Sequence, residues 1–224
     1  MGYEDFIAYA DKKKDLCVKN DLISDDLFLE FGVNRGLRDI NGKGVLTGLT
    51  RVAEIQSYTV TEDEHIRPAD GVLYYRGIDC REVVRGSESR GRYAFEETAY
   101  LLLFGQLPDQ AQLDAFCDQL ASYRTLPTNF FRDVIMKAPS RDVMITLSRS
   151  ILNLYSYDEK ADDTTIPNVL RQCLNLISEF PMLMVYGYHA YNYRMGEDLF
   201  IYAPSPELST AENILMMLRE DRKY

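Results

Sequence analysis

Basic side chains and glycines occur together over residues 33–53, and these residue types can bind an anion. The stretch has a single acid, Asp39, in a chain whose formal net charge is −10. Its cations are Arg35, Arg38, Lys43 and Arg51. Backbone N–H groups near glycines and guanidinium forks both pair well with phosphate or carboxylate oxygens. The stretch therefore predicts either an anion site or a tight, solvated turn with local ion pairs.

The glycines of this stretch fit neither common nucleotide-binding fingerprint. The segment 41–44 (NGKG) is followed by Val45, whereas a phosphate-binding loop ends in Gly-Lys-Ser or Gly-Lys-Thr. No clear strand precedes the segment, as a dinucleotide-binding turn would require. The residue types alone do not identify the anion.

The chain has two histidines, His65 and His189, so a histidine acting as general acid or base must be one of them. His65 lies beside Glu64, and we predict that it is exposed. His189 lies among tyrosines, which favours a packing role at a helix–helix or subunit contact. These tyrosines are Tyr186, Tyr188, Tyr191 and Tyr193.

The cysteines are widely spaced and form no Cys-x-x-Cys motif. They are Cys17, Cys80, Cys117 and Cys173. This spacing predicts no zinc or iron–sulfur site. It indicates buried free thiols in a reducing compartment.

The chain is long enough to form a hydrophobic core. It has 224 residues, of which 46% are hydrophobic and 27% charged, as in one globular domain or a small pair. The acidic balance argues against general attraction to nucleic acid or to anionic membranes. Because its apolar runs are too short to span a bilayer and residues 1–15 are too charged for a signal peptide, we expect a cytoplasmic protein.

Hydrophobic periodicity predicts a mainly α-helical fold with a small N-terminal β-hairpin. The hairpin strands are predicted over 51–60 and 71–75, and a turn over 68–71 leads into the second strand. Helices are predicted over 4–18, 24–31, 95–104, 109–122, 128–137, 141–155, 166–193 with a kink at Pro181, and 209–219.

The arginines between residues 76 and 92 alternate with acids, and we interpret them as a solvated charged surface. They are Arg76, Arg81, Arg85, Arg90 and Arg92. Glu96 and Glu97 are adjacent on a predicted helix, so they point in different directions and form no carboxylate pair. We expect no binding site from this segment.

Several consecutive segments resemble the citrate synthase family, in the family's order. They are 36–39 (GLRD), 44–50 (GVLTGLT), 70–79 (DGVLYYRGID), 95–108 (FEETAYLLLFGQLP) and 206–215 (PELSTAENIL). By this resemblance the chain is identified as a member of that family, similar to the N-terminal half of a bacterial-type enzyme.

The resemblance implies an α-helical homodimer that condenses acetyl-CoA with oxaloacetate and releases citrate and CoA. Acetyl-CoA is then a substrate, and no cofactor or metal is implied. The family's chemistry is acid–base catalysis beside a thioester, with electrostatic stabilisation of an enol. The resemblance places the dimer contact in helices within 141–193 and implies no nucleic-acid or membrane partner.

The family's catalytic motifs are not found in this sequence. A His-x-Asp-His segment, a Gly-Pro-x-His-Gly-Gly segment and the catalytic Asp come after the helix that begins at Ser209, and neither His65 nor His189 lies in a matching motif. We therefore expect no catalytic residue in this chain and no activity from it alone. One site residue is implied: Arg38 resembles an arginine that contacts CoA phosphates.

The resemblance also predicts the domain organisation. Residues 1–32 would form an N-terminal helical arm, and 33–78 a glycine-rich loop with the hairpin. Residues 79–224 would form the helical part of the large domain, truncated before the active-site motifs and the small domain.

Two alternatives remain open. The whole enzyme could be a 2-methylcitrate synthase that uses propionyl-CoA. The chain could instead be a naturally truncated, non-catalytic partner that forms mixed dimers with an intact synthase.

Overall fold

The computed structural model describes residues 3–19, 23–34, 36–39, 42–45, 47–60 and 66–224. The chain divides into two compact units, Met1–Thr50 and Arg51–Tyr224. Arg35, Glu64 and His65 lie outside the described residues.

The first unit contains the two predicted N-terminal helices. Helix α1 spans Tyr3–Lys19 and α2 spans Asp25–Glu30. Asp25 and Asp26 lie in the first turn of α2, where negative charge interacts favourably with the helix dipole. In the described residues between α2 and residue 50, the chain forms turns and an antiparallel bridge between Arg38 and Gly44.

The second unit begins with a three-stranded antiparallel sheet in the order β1-β2-β3. The strands are β1 Ala53–Val60, β2 Ile66–Tyr75 and β3 Ile78–Asp79. The predicted turn at 68–71 is wrong, because these residues lie inside β2. Pro68 is opposite Tyr58, directly after the register shift between Gln56 and Tyr58, and an irregular position of this kind tolerates proline in a strand.

Six helices follow the sheet, and the mainly α-helical fold is confirmed. They are α3 Cys80–Glu88, α4 Phe95–Phe104, α5 Gln110–Ser122, α6 Val143–Tyr155, α7 Ile166–Arg194 and α8 Thr210–Leu218. Helix α3 was not predicted. The helix predicted over 128–137 is a short π-helix at Phe131–Ile135.

Several helix ends have the capping residues that the sequence predicts. Asp109 and Ser209 each accept a hydrogen bond from a backbone N–H of the first turn, and both form complete capping boxes. Gly105 ends α4 in the left-handed conformation, with φ of 81°. Pro181 lies inside α7, which continues as one helix of 29 residues.

The main hydrophobic cluster surrounds the second half of α7. This helix packs against α5, α6, α8 and the π-helix. The least exposed side chains of this cluster lie on α7, on α8 and in or directly before the π-helix: Phe130, Ile135, Leu183, Val185, Ala190 and Met217. Helix α7 is therefore the element around which the second unit is assembled.

Helices α6 and α7 are in close contact where small residues lie between them. Thr146 and Ser150 of α6 are fully buried, and the core residue Leu147 lies between them in sequence. Their hydroxyls are satisfied within the helix, since Ser150 Oγ donates to the carbonyl of Thr146 at 2.8 Å. A Cβ atom added at Gly187 would lie 2.8 Å from Thr146 Cγ2. The separation of the two helices is thus set by the lack of a side chain at Gly187.

We predict that Gly187→Ala lowers the free energy of unfolding by about 1–3 kcal/mol, although alanine has the higher helix propensity. The reason is the clash with a buried, rigid threonine, which urea denaturation would measure. Gly86→Ala is the matched control, because its Cβ meets only the mobile end of Arg90, at 3.1 Å. Thr146→Ser should restore stability to the alanine variant. Unchanged stability of Gly187→Ala would contradict the packing described.

Candidate functional site

Arg38 lies in a closed turn at residues 36–45. Its Nη1 donates to the carbonyl of Gly42 at 2.8 Å. The Asp39 carboxylate accepts from the backbone N–H of Lys43 at 2.9 Å, and the Asp39 N–H donates to the Lys43 carbonyl at 2.8 Å. The side chains of Arg38 and Lys43 are exposed. The predicted tight, solvated turn is therefore present, and it presents two cations to solvent.

Anion binding by this turn stays a prediction. A guanidinium has five N–H donors, and the bond to Gly42 uses one of them. A cavity of about 480 Å³ beside α2 is also lined by Arg38, but the carboxylates of Asp25 and Asp39 line it too. Because these carboxylates would repel a phosphate, the solvent side of the turn is the better place for an anion.

His189 is a packing residue, as predicted. Its side chain is 3% exposed, and its Nε2 lies 3.0 Å from the carbonyl oxygen of Met217. A carbonyl can only accept, so Nε2 carries the proton in this bond. The imidazole also stacks on Phe200, with ring centroids 4.3 Å apart. His189 thus joins α7 to the end of α8 and has no access to a substrate.

The tyrosines around His189 differ in exposure. Tyr186 is buried and donates its hydroxyl hydrogen to the carbonyl of Tyr202 at 3.0 Å. Tyr188 and Tyr193 remain about half exposed, at 45% and 50%. Further exposed apolar side chains on α6 and α7 are Ile145, Leu152 and Ile166. The predicted subunit contact through 141–193 stays a prediction that these exposed groups favour.

A buried ionic network, which the sequence interpretation missed, connects α4, α5 and the start of α8. Glu96 Oε1 accepts from the backbone N–H of Thr210 at 2.7 Å and lies 3.8 Å from Arg124 Nη2. Arg124 also donates to the carbonyl of Leu208 at 2.6 Å and to Thr210 Oγ1 at 3.3 Å. Burial lowers the pKa of Arg124 below its ordinary value, and the Glu96 carboxylate opposes this shift.

Asn213 extends the network from inside α8. Its Nδ2 lies within hydrogen-bond distance of the carbonyls of Ser205, Leu208 and Ser209, at 2.9–3.0 Å. Its Oδ1 accepts from the backbone N–H of Ser205 at 2.7 Å. Arg124 and Asn213 together bond the carbonyls of Ser205, Leu208 and Ser209, in the segment 205–209 that precedes α8 and has no regular structure. The network therefore fixes where α8 begins.

Glu97 forms a second buried site on the opposite side of α4. It accepts from Arg92 Nη2 at 2.9 Å and from the hydroxyl of Ser87, and Arg90 Nη2 lies 3.5 Å away. The prediction that Arg92 belongs to a solvated surface is wrong, because its side chain is 22% exposed and its partner Glu97 only 2%. The sequence did contain a signal for the burial of Glu97. Helix α4 is apolar on nearly every side, and a helix of this kind is normally buried together with its glutamates.

Cysteine and metal chemistry find little support in the described part of the chain. The cysteines are free, but the prediction that they are buried is wrong, because Cys17 is exposed and the other three are only partly buried. Burial raises the pKa of the Cys117 thiol to about 11, so it is protonated at neutral pH. Within residues 3–19, 23–34, 36–39, 42–45, 47–60 and 66–224, no three His, Cys, Asp or Glu side chains are grouped as metal ligands would be. No described helix meets the length and hydropathy needed to cross a membrane.

Comparison with known proteins gives a consistent family. Residues 43–224 match the family model described as "Citrate synthase, C-terminal domain". A citrate synthase of Synechocystis sp. is 32% identical over 161 residues, covering 70% of this chain and 36% of that relative. A 2-methylcitrate synthase of Shewanella oneidensis is 31% identical over 120 residues, covering 52% of this chain and 28% of that protein.

Solved structures support the same fold. The citrate synthase of Pyrobaculum aerophilum superposes with a TM-score of 0.60 at 22% identity, covering 79% of this chain and 40% of that chain. A Thermoplasma acidophilum citrate synthase, described as a ternary complex with carboxymethyl coenzyme A and oxaloacetate, has a TM-score of 0.61 at 18% identity and covers 82% and 41%. The chain thus spans less than half the length of these relatives.

We predict that Glu96→Gln lowers the free energy of unfolding by about 2–4 kcal/mol, because Arg124 would remain buried without its carboxylate. Glutamine can still accept from the Thr210 N–H, so the loss of stability measures the effect of removing the negative charge. Hydrogen exchange should also accelerate at the amides of Ser205 and Thr210. The matched control is Glu88→Gln, an exposed position on α3. Equal stability and protection in both variants would show that the network does not hold α8.

Proposed function

The chain belongs to the citrate synthase family, and on this basis we propose that it is part of an acyltransferase that joins acetyl-CoA to oxaloacetate and releases citrate and CoA. The observation that carries the proposal is the family match over residues 43–224. Citrate synthases among the sequence relatives and the structural neighbours support it. The proposal includes the assignment, made from the sequence motifs, that the chain represents the N-terminal half of the longer relatives.

Within this proposal, the chain supplies scaffold rather than catalytic groups. The reaction needs a base that removes a proton from the acetyl methyl group and donors that stabilise the enol. His189 can do neither, because its ring is buried and its Nε2 donates to the carbonyl of Met217. The catalytic groups then lie outside this chain, and the second unit holds α8 in a fixed position beside the ionic network of Glu96 and Arg124.

We propose further that Arg38 contacts a phosphate of CoA. The guanidinium is exposed on a turn that also carries Lys43, and one bond from its Nη1 to the Gly42 carbonyl restrains it. A preorganised guanidinium loses less side-chain entropy when it pairs with a phosphate. In the same proposal the protein is a cytoplasmic homodimer joined through helices in 141–193, with the domain boundaries at 32 and 78.

Two other functions have specific support. A 2-methylcitrate synthase, which uses propionyl-CoA, is favoured by the Shewanella oneidensis relative at 31% identity. A non-catalytic partner that forms mixed dimers with an intact synthase is favoured by the exposed apolar side chains of α6 and α7. Comparing activity with acetyl-CoA and with propionyl-CoA distinguishes a 2-methylcitrate synthase from a citrate synthase. Co-purification with an intact synthase tests the non-catalytic partner.

The purified chain, at an intact mass of 25.8 kDa, should release no CoA in an oxaloacetate-dependent manner from acetyl-CoA or propionyl-CoA. A thiol-release assay measures this, with an active citrate synthase as the positive control. Turnover by the homogeneous chain would contradict the proposal that it holds no catalytic residue, and His65 and His189 would have to be reconsidered.

Arg38→Ala should weaken CoA binding to this chain about three- to tenfold, because one exposed charge-assisted contact is lost. Isothermal titration calorimetry at low salt measures the affinity. Arg67→Ala is the control, since it removes an exposed arginine from β2 and changes the net charge equally. Equal affinities of all three proteins, or equal losses in both variants, would remove Arg38 from the site.

A further inference from the structure

A cavity of about 560 Å³ lies where the end of α6, the connection 156–165 and the first half of α7 meet. Cavities of this size accommodate small organic molecules. Helix α7 contributes residues 171, 172, 175, 176 and 179, a spacing that places them on one face of the helix. These residues lie within 141–193, the range proposed above for the dimer contact, but none of them is assigned to CoA binding or to catalysis.

The lining of this cavity is divided into apolar and polar parts. The apolar part consists of Leu126, Pro127, Ile151, Leu154 and Leu176. The polar part is a row on α7, formed by Arg171, Asn175 and Glu179. Successive members are four residues apart, or about 6 Å along the helix. A ligand here would meet a polar strip on one side and hydrocarbon on the other.

The Arg171 end of the row is already occupied by protein groups. Arg171 Nη2 donates to both carboxylate oxygens of Asp158, at 2.7 and 2.8 Å, and its Nε donates to Asn168 Oδ1 at 3.0 Å. Gln172 Nε2 adds a bond to Asp158 Oδ2 at 3.1 Å. Because the charges of Arg171 and Asp158 compensate each other, this end offers little attraction to an ion.

The Glu179 end has acceptors without donors. Asn175 Oδ1 is buried and has no hydrogen-bond partner among the described residues. Glu179 is half-buried, and burial alone raises the pKa of its carboxyl group to about 7. A buried carboxylate normally has a cation beside it, because removing the charge from water is costly. Here the missing element is a positively charged hydrogen-bond donor.

The other titratable groups of the cavity do not supply this charge. Tyr155 on α6 donates to Asp162 at 2.8 Å, and Tyr157 and Asp158 lie on the connection. The one cation of the lining, Arg171, is two helical turns from Glu179, or about 12 Å along α7. Burial is the whole cause of the shift at Glu179, with no contribution from a neighbouring charge.

We propose that this cavity binds a small organic ammonium ion, whose –NH₃⁺ group donates to the Glu179 carboxylate. Its apolar body would lie against Leu154, Leu176 and the neighbouring hydrocarbon side chains. The ammonium group has three donors, and those that the carboxylate does not use remain available to solvent. An anion would be repelled by Glu179, and a neutral molecule would leave the carboxylate uncompensated.

Binding of phenethylammonium, followed by calorimetry or by NMR of the α7 amides, tests this proposal. The ligand stays charged between about pH 5 and pH 8, whereas Glu179 is protonated at the lower pH and ionised at the higher one. We expect affinity about tenfold higher at about pH 8 than at about pH 5. No binding at the higher pH, or equal affinity at both, would overturn the proposal.

A matched pair of variants identifies the carboxylate. Glu179→Gln should weaken phenethylammonium binding about tenfold at about pH 8 and remove its pH dependence. Glu159→Gln, which makes the same change on the connection but outside the cavity, should behave as the wild type. The neutral analogue 2-phenylethanol should bind all three proteins equally and weakly. Wild-type affinity in Glu179→Gln at the higher pH would overturn the assignment.

Thermal unfolding shows whether Glu179→Gln is folded. It also tests independently whether ionisation of Glu179 destabilises the folded state. A carboxyl whose pKa is raised on folding favours the folded state at low pH, and this contribution is lost as the pH rises towards about 7. The variant should therefore be more stable than the wild type at about pH 8 and similar to it at about pH 4. A less stable variant at the higher pH would mean that Glu179 already has a cation partner in the protein.

Discussion

Leu183, Val185 and Ala190 lie in the second half of α7 and are almost completely buried, so this part of the helix must be enclosed by other elements. Burial of this apolar surface is the main favourable term for the second unit. It requires α5, α6, α8 and the π-helix to pack around one axis. The close approach of Thr146 and Gly187 then fixes the distance between α6 and α7. The other helices take their positions from this contact, because a packed interior tolerates little displacement.

Buried charges fix how α8 is placed against α4. Residues 205–209 form no regular structure, so their carbonyls need donors from elsewhere, and Arg124 and Asn213 provide them for Ser205, Leu208 and Ser209. Glu96 holds the first N–H of α8 from the other side. An apolar cluster could bury as much surface, but it would not define which turn of α8 faces α4. A buried ion pair adds little net stability and excludes arrangements in which either charge is unpaired.

The parts of the fold that sequence predicts best are those with local signals. Asp109, Gly105 and Ser209 act within one turn of their own helices, and the ends they mark were predicted to within a residue or two. Helix α3 was missed because its arginines suggested a solvated segment. The pairing of Arg92 with Glu97 depends on packing of α3 against α4, which no local pattern encodes. For the same reason the cavity beside α7 could not be foreseen.

The buried Glu96 and Glu97 and the half-buried Glu179 of the second unit differ in how their charge is compensated. Glu96 and Glu97 are nearly inaccessible, and each has an arginine within 4 Å. Glu179 is less deeply buried, yet burial raises its pKa to about 7 because no described cation compensates its charge. Helix α7 otherwise places leucines and methionines in the core. The uncompensated Glu179 carboxyl and the unpartnered Asn175 Oδ1 therefore destabilise the fold, and no described contact offsets this effect. Binding of a cation would remove this destabilisation, and the free energy gained would contribute to the affinity for the ligand. This binding would be independent of the reaction that the family catalyses.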